Sequence, residues 1–88
     1  MGSRHRRVVW SEGAREELDE AIAYIAEDSP GNAFRLLGRI LESAASLEAL
    51  GDRGRVVPEQ SDPTVRELLF DSLRLLYHLK DSQVVILG

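Results

Sequence analysis

The chain has 88 residues, of which 43% are hydrophobic and 30% are charged, so it can bury the core of one domain and no more. It contains no cysteine, which excludes disulfide scaffolds, cysteine-ligated zinc and thiol nucleophiles. Eleven basic residues against fifteen acidic ones give a net charge of −4, which argues against a protein that grips nucleic acid through a general basic excess.

The N-terminal residues carry no apolar run of the kind found in a secretory signal, and no later run is long enough to cross a membrane. We therefore expect a cytoplasmic protein with one domain over residues 1–88 and a disordered tail at 1–5. The two histidines stand in unrelated contexts and seven of the fifteen carboxylates lie on one predicted helix, so the sequence predicts neither a metal site nor a cofactor.

The first elements are predicted to be a strand and an acidic helix. Residues 6–10 end in β-branched and aromatic side chains, which favours a strand. Ser11 is a suitable N-cap, and apolar residues then recur at helical spacing, which predicts a helix over 12–28. Residues 11–30 hold seven acidic residues and one basic residue, which is typical of a solvated helix face.

Ser29 and Pro30 predict a second helix start, because Ser is favoured at the N-cap and Pro in the first turn. Between residues 32 and 50 apolar side chains surround most of the helix, so we expect it to be covered on more than one side. Gly51 suits the residue after its end. The two helices are predicted to form an antiparallel hairpin.

Residues 52–64 contain Gly, Asp, Ser and two prolines, and predict a long loop of the kind that often carries function. Three strands are predicted after it, over 65–70, 73–80 and 83–87, joined by two-residue turns. The predicted order is β-α-α-β-β-β. This is an α+β fold in which a helical hairpin packs on a small, mainly antiparallel sheet.

Alternation along the middle hairpin strand assigns its side chains to two faces. The face under the helices should hold Leu73, Leu75, Tyr77 and Leu79, with the Tyr77 hydroxyl finding a partner at the edge. The open face should hold Arg74, Leu76, His78 and Lys80, which makes it the one cationic surface that periodicity predicts.

Six residues are candidates for contact with a target or partner protein: Arg53, Arg55, Arg66, Arg74, Leu76 and His78. Leu76 on an open face would suit an amphipathic partner helix, and an uncovered sheet edge would suit strand addition. Arg53 and Arg55 could equally anchor the long loop through its carbonyls or Glu59, and Arg74 could equally be a solvated or salt-bridged side chain. His78 could serve as a general base if the protein is a nuclease.

The chain resembles the RelE/ParE toxin superfamily in the order of its elements and over almost its whole length, from about Val8 to Leu87. The segments that carry the resemblance are Glu17–Ile25, the Ser29-Pro30 break, Arg53–Glu59, Val65–Leu69, Leu73–Tyr77 and Val84–Leu87. The similarity is greatest to the ParE branch, often described as plasmid stabilisation proteins. It implies the toxin of a bacterial type II toxin–antitoxin system, which a cognate antitoxin neutralises and which inhibits DNA gyrase by protein–protein binding, without chemistry of its own.

The resemblance also implies an alternative, the ribosome-dependent mRNA endoribonuclease of the RelE branch. Arg74 falls on a strand arginine shared across the superfamily, and the catalytic residues would then be Arg74 and His78. The two basic positions that such enzymes place on the preceding strand fall near Val65 and Glu67, which are not basic. Family members usually continue past the position of Gly88 with a basic tail, so a third alternative is a truncated, inactive toxin that only binds antitoxin.

Overall fold

The computed structural model describes residues 5–71 and 73–88, which form two helices and five strands. In chain order these are β1 (Arg7–Trp10), α1 (Glu12–Asp28), α2 (Pro30–Ser46), β2 (Arg55–Val56), β3 (Val65–Phe70), β4 (Leu73–Leu79) and β5 (Gln83–Ile86). The α+β fold with a helical hairpin on a small sheet is confirmed. Residues 1–4 of the expected tail lie outside the described residues, as does Ser72 of the first hairpin turn, and His5 lies 3.7 Å from the carboxylate of Glu48.

Both predicted helix starts are confirmed by their caps. The Ser11 hydroxyl accepts a hydrogen bond from the Ala14 N–H at 3.0 Å, which satisfies one of the free donors of the first turn of α1. Ser29 ends α1 through its own N–H, which donates to the Ile25 carbonyl, and it also caps α2 ahead of Pro30. One serine therefore closes one helix and opens the next, which sets the hairpin.

The second helix is shorter than predicted. It ends at Ser46, and residues 47–49 continue as a turn, so the expected end at Leu50 is wrong. The Ser46 hydroxyl donates to the Ser43 carbonyl at 2.6 Å and accepts from Arg53. A serine that bonds locally in this way competes with the helix ladder, which explains why the helix stops there although apolar residues continue.

The sheet has the strand order β1-β5-β4-β3-β2, in which only the β1–β5 pair is parallel. The sequence missed β2, since residues 52–64 were expected to form a loop throughout. This strand is two residues long and pairs Arg55 with Glu67 and Val56 with Arg66. A segment of two residues is too short to show the alternation that predicts a strand. Its pairing depends on contacts with β3, which is distant in sequence.

The core lies between the helical hairpin and one face of the sheet. Ile40 and Leu47 from the α2 side meet Tyr77, Val84 and Ile86 from the sheet, and all five are almost completely buried. The predicted alternation along β4 is confirmed, since Leu75 and Tyr77 are buried under the helices while Arg74 is exposed on the other face.

As expected, α2 is covered on two sides, by α1 and by the sheet, but its outer side is not covered by any described element. Phe34 is 77% exposed and Leu41 is 47% exposed, although both belong to the broad apolar surface of this helix. The reason is topological, because the helical hairpin lies on one face of a single sheet and no described element covers its outer side. In the described part of the chain, neither helix is long and apolar enough to cross a membrane.

Candidate functional site

The face of the sheet that the helices leave uncovered, called here the open face, carries polar and apolar side chains in one surface. Register and alternation place on it Arg55 of β2, Val65, Glu67 and Leu69 of β3, Arg74, Leu76 and His78 of β4, and Val85 of β5. Four of the six residues predicted from the sequence as partner contacts therefore share this face, and two, Arg53 and Arg66, do not.

Glu67 lies at the centre of the open face and its side chain is fully buried. Arg55 donates its Nε–H to Glu67 Oε2, and Arg74 donates from Nη1 to Glu67 Oε1 at 3.0 Å. The pKa of this carboxyl lies below its usual value, chiefly because Arg55 donates a hydrogen bond to the ionised form. Arg74 lowers the pKa further, while burial opposes both effects. The carboxylate is thus ionised at neutral pH and clamped between two cations.

The two arginines of this clamp are themselves partly exposed, with 61% of the Arg55 side chain and 47% of the Arg74 side chain open to solvent. A second carboxylate, that of Glu59 in the loop before β3, lies 3.7 Å from Arg74 Nη1. The prediction that the open face is cationic is therefore wrong around Arg74, because two carboxylates balance the two guanidinium groups.

His78 lies further along β4 and has a different environment. Its Nε2 is 3.9 Å from an oxygen of Asp62. The pKa of Asp62 is lowered, chiefly because the Thr64 hydroxyl donates a hydrogen bond to its carboxylate. Arg74 and His78 are four residue steps apart along the strand, so their Cα atoms are separated by roughly 13 Å. Arg74 is drawn toward Glu67 and His78 toward Asp62, so these two residues do not converge on one point as a nuclease pair would.

Arg66 lies on the opposite side of β3, as alternation predicts. Its Nη1 donates to the carbonyl oxygens of Asp52 at 3.1 Å and Gly54 at 2.9 Å, which holds the loop against the sheet. Arg53 donates from Nη1 to the Ser46 hydroxyl at 2.6 Å. For both arginines the geometry favours loop anchoring. Contact with a target or partner remains a prediction for them, as it does for the candidates on the open face.

Tyr77 completes this anchor from the core. Its hydroxyl donates to the Gly51 carbonyl at 2.7 Å and accepts from the Gly54 N–H at 2.8 Å. The expectation that this residue is in the core with a partner for its hydroxyl is confirmed. Burial raises the pKa of the phenol, so the group stays neutral over the physiological range. The Tyr77 hydroxyl thereby provides hydrogen-bond partners for the buried backbone groups of Gly51 and Gly54.

A second candidate surface runs along the outer side of the helical hairpin and is called here the α2 stripe. It consists of Phe34, Leu37 and Leu41, spaced at three and four residues so that they lie on one side of the helix. Leu37 and Leu41 also line a groove that Trp10 and Leu18 close from β1 and α1. The charged residues Arg15 and Asp19 also line this groove. An apolar stripe beside a groove with both apolar and charged walls is typical of a surface that binds an amphipathic helix.

Two features of these surfaces were not found from the sequence. In the sequence, Glu67 stood out only because ribonucleases of the superfamily have a basic residue near that position. The hairpin register places Glu67 on the same face of the sheet as Arg74, on the neighbouring strand. For Arg55, one of the two alternatives was a bond to loop carbonyls or to Glu59. In the structure Arg55 bonds Glu67, and Glu59 faces Arg74. Alternation and hairpin register are enough to place Glu67 near Arg74. Nothing in the sequence indicates the contact between Arg55 and Glu67, because it depends on the short strand β2.

Among residues 5–71 and 73–88, no group of three or more His, Asp or Glu side chains is placed to hold a metal ion. The open face therefore offers a clamped carboxylate, two partly exposed guanidinium groups and several apolar side chains. The α2 stripe offers exposed apolar side chains beside a groove of mixed character. Both arrangements are suited to binding another protein.

Comparison with known proteins agrees with this fold. Residues 8–88 match the family model of the ParE toxin of type II toxin–antitoxin systems, parDE. Among solved structures, the chain is similar to one titled as the chromosomal ParDE TA system from P. aeruginosa, with a TM-score of 0.73 and 20% identity, over 93% of this chain and 90% of that one. No curated protein matches the sequence. The match to the family model spans nearly the whole chain, and the protein therefore belongs to the ParE toxin family of type II toxin–antitoxin systems.

Proposed function

We propose that this protein is a toxin that acts by binding other proteins: a cognate antitoxin neutralises it, and DNA gyrase is its target. The observation that carries the proposal is the clamp of Arg55 and Arg74 on the buried Glu67. Ribonuclease chemistry needs an excess of positive charge to stabilise a developing phosphorane-like charge, and here Glu67 and Glu59 balance the charges of Arg74 and Arg55. The alternative of a RelE-like endoribonuclease is therefore disfavoured.

The α2 stripe supports the antitoxin part of the proposal. Phe34 and Leu41 are exposed apolar side chains on an otherwise well-capped helix, and leaving them in water contributes nothing to folding. An antitoxin segment that folds as an amphipathic helix on the stripe would bury them and would gain the free energy that offsets its own ordering. The groove lined by Leu37, Leu41 and Trp10 gives that helix a defined seat.

The antitoxin surface is tested by comparing two leucines of similar exposure. Leu41 is 47% exposed on the α2 stripe, and Leu50 is 51% exposed in the turn after α2. We expect Leu41→Asp to weaken binding of the antitoxin encoded beside this gene by about tenfold or more, and Leu50→Asp to change it by less than about twofold. Titration calorimetry measures both, with circular dichroism as the check on folding. Equal losses from the two substitutions would contradict the assignment of the stripe.

The gyrase part of the proposal follows from membership of the ParE family and from a surface suited to protein contacts, and it implies action in the cytoplasm. Purified toxin should stop DNA supercoiling by gyrase, and stoichiometric antitoxin should restore it. Supercoiling that is unchanged by excess toxin would remove gyrase as the target while leaving the antitoxin proposal intact. A toxin that binds antitoxin but inhibits neither gyrase nor translation would be the inactive form.

A further inference from the structure

The clamp on Glu67 leaves donor groups of both arginines unused. Arg55 bonds Glu67 through Nε alone, so its two terminal nitrogens have no partner among the described residues. Arg74 uses Nη1 for both of its carboxylate contacts, so its Nε and Nη2 are likewise without a partner in the part of the chain that the structure describes. A guanidinium group has five N–H donors in a rigid fork that matches a carboxylate.

Glu67 holds the two guanidinium groups that carry these unused donors next to one carboxylate. Its two oxygens each bind a different arginine, so the two guanidinium groups are held on either side of one carboxylate. Two cations placed so close would separate without the negative charge between them. Because the Glu67 side chain is fully buried, it cannot rotate into solvent and release them. It acts as a positioning residue for Arg55 and Arg74.

Glu59 shows that this place accepts a further carboxylate. Its oxygen lies 3.7 Å from Arg74 Nη1, which is an ion-pair distance but too long for a hydrogen bond. The Glu59 side chain is 66% exposed and belongs to the long loop before β3, so breaking its ion pair with Arg74 costs little free energy. A carboxylate from another protein can replace it and bond the arginines directly.

The surroundings of the arginines decide what kind of ligand fits. Leu69 pairs directly with Arg74 across the β3–β4 ladder and is 57% exposed, and Leu76 pairs with Glu67. The formal charges of the two arginines, Glu59 and Glu67 sum to zero, so the cluster lacks the excess of positive charge that a run of phosphates requires. A ligand with one carboxylate flanked by apolar side chains fits both the apolar neighbours of the arginines and the absence of excess positive charge.

We propose that Arg55 and Arg74, positioned by Glu67, form a receptor for a single Asp or Glu side chain of a partner protein, with Leu69 and Leu76 contacting the apolar residues beside it. Glu59 occupies the receptor until the partner binds. The identification of that partner as the antitoxin rests on the function proposed above. The chemistry of the receptor, one carboxylate between apolar neighbours, does not.

The test uses blocked tripeptides as probes. N-acetyl-Leu-Glu-Leu-amide and the matched Leu-Gln-Leu peptide are titrated into the full chain, and the Nε–H signals of Arg55 and Arg74 are followed by NMR. We expect the acidic peptide to bind about fivefold more tightly or better, because a charge-assisted bidentate bond is lost in the amide. Equal affinity for the two peptides would overturn the proposal. So would hexauridylate moving the two arginine signals at lower concentration than the acidic peptide does.

Two variants distinguish the positioning role of Glu67 from the effect of its negative charge alone. Glu59→Gln removes the competing carboxylate and should tighten the acidic peptide about twofold. Glu67→Gln also removes a negative charge, so charge alone predicts tighter binding, whereas positioning predicts that the preference for the acidic peptide falls below about twofold. Tighter binding of the acidic peptide to Glu67→Gln overturns the proposal.

Two further measurements keep the test decisive. If Glu67→Gln unfolds, Arg74→Lys takes its place, since it keeps the charge, loses the fork and should lose the preference for the acidic peptide. The inference and the proposed function also fail separately. Preference for the acidic peptide without any binding of the antitoxin would remove the antitoxin proposal alone, and antitoxin binding without that preference would remove the receptor alone.

Discussion

The two sides of the β3–β4 pair use arginine in different ways. On the helix side, Arg66 donates to two carbonyl oxygens of the loop after α2, and Tyr77 bonds the same loop from the core. On the open face, Arg74 bonds Glu67 and keeps nearly half of its side chain in solvent. On the helix side, Nη1 of Arg66 bonds two backbone acceptors and its buried Nε has no partner among the described residues, so no donor faces a ligand. On the open face, the unused donors belong to partly exposed side chains.

This difference separates a structural role from a functional one within two adjacent strands. A guanidinium group bonded to backbone carbonyls cannot leave without exposing unpaired acceptors, so we expect substitutions on the helix side to lower stability. A guanidinium group that also reaches the surface can take a further ligand, so we expect substitution at its exposed contact with Glu59 to change binding more than stability.

The largest effect is expected at Gly54 on the helix side. A Cβ atom there would lie 2.6 Å from the Tyr77 hydroxyl and 2.7 Å from the Glu67 carbonyl oxygen, and the second neighbour is backbone that cannot move away. Gly54→Ala should therefore lower the free energy of unfolding by about 3 kcal/mol. Gly38 in α2 has open space around it, so the control Gly38→Ala should raise stability by about 0.5–1 kcal/mol. Urea denaturation measures both, and similar effects at the two glycines would contradict the anchor.

Removing the Tyr77 hydroxyl should have the next largest effect. Tyr77→Phe leaves the Gly51 carbonyl and the Gly54 N–H buried without a partner, so we expect a loss of about 2 kcal/mol. Tyr24 is exposed on α1, and Tyr24→Phe should change stability by less than about 0.5 kcal/mol. Thermal unfolding of the pair checks the prediction, and a Tyr77→Phe variant as stable as the wild type would refute it.

The Glu67 clamp should make stability depend on pH. Its pKa is lowered in the folded state from the ordinary value of 4.5, so the unfolded chain takes up a proton first as the pH falls. The stabilisation from the ionised carboxylate is present above pH 4.5 and is lost below it, as the pH falls through the folded-state pKa. The stability difference between wild type and Glu67→Gln should shrink over that acid range. A difference that stays constant from pH 7 to pH 3 would mean that the clamp does not stabilise the ionised form.

The smallest effect on stability is expected at Glu59. Its contact with Arg74 is long and both side chains are largely exposed, so Glu59→Gln should change the free energy of unfolding by less than about 0.5 kcal/mol. Chemical denaturation at low and high salt provides the measurement. A loss above about 1 kcal/mol would show that Glu59 belongs to the structural anchor and not to an exchangeable contact.

The sequence predicted the parts of the fold that depend on local signals. Ser11 and Ser29 marked both helix starts, and alternation along β4 placed Tyr77 in the core and Arg74 on the open face. Together with the order of the elements, these signals supported the resemblance to the toxin family that residues 8–88 match. Each of these features needs only neighbouring residues to be recognised.

The parts that the sequence did not predict depend on contacts between distant residues. The short strand β2 exists because Arg55 pairs with Glu67, twelve residues further along the chain. The exposure of Phe34 on α2 depends on which side of the helix the sheet covers, and composition alone does not settle that. The clamp combines both problems, since it needs β2 to bring Arg55 to the carboxylate that Arg74 reaches from β4.

The central claim is that the arginines of the open face serve protein binding and not RNA cleavage. The most direct test adds one preparation of the toxin to gyrase with relaxed plasmid and, in parallel, to ribosomes programmed with mRNA. We predict that supercoiling stops while the mRNA stays intact. Cleavage of the mRNA that disappears in Arg74→Ala, with supercoiling unaffected, would contradict the account.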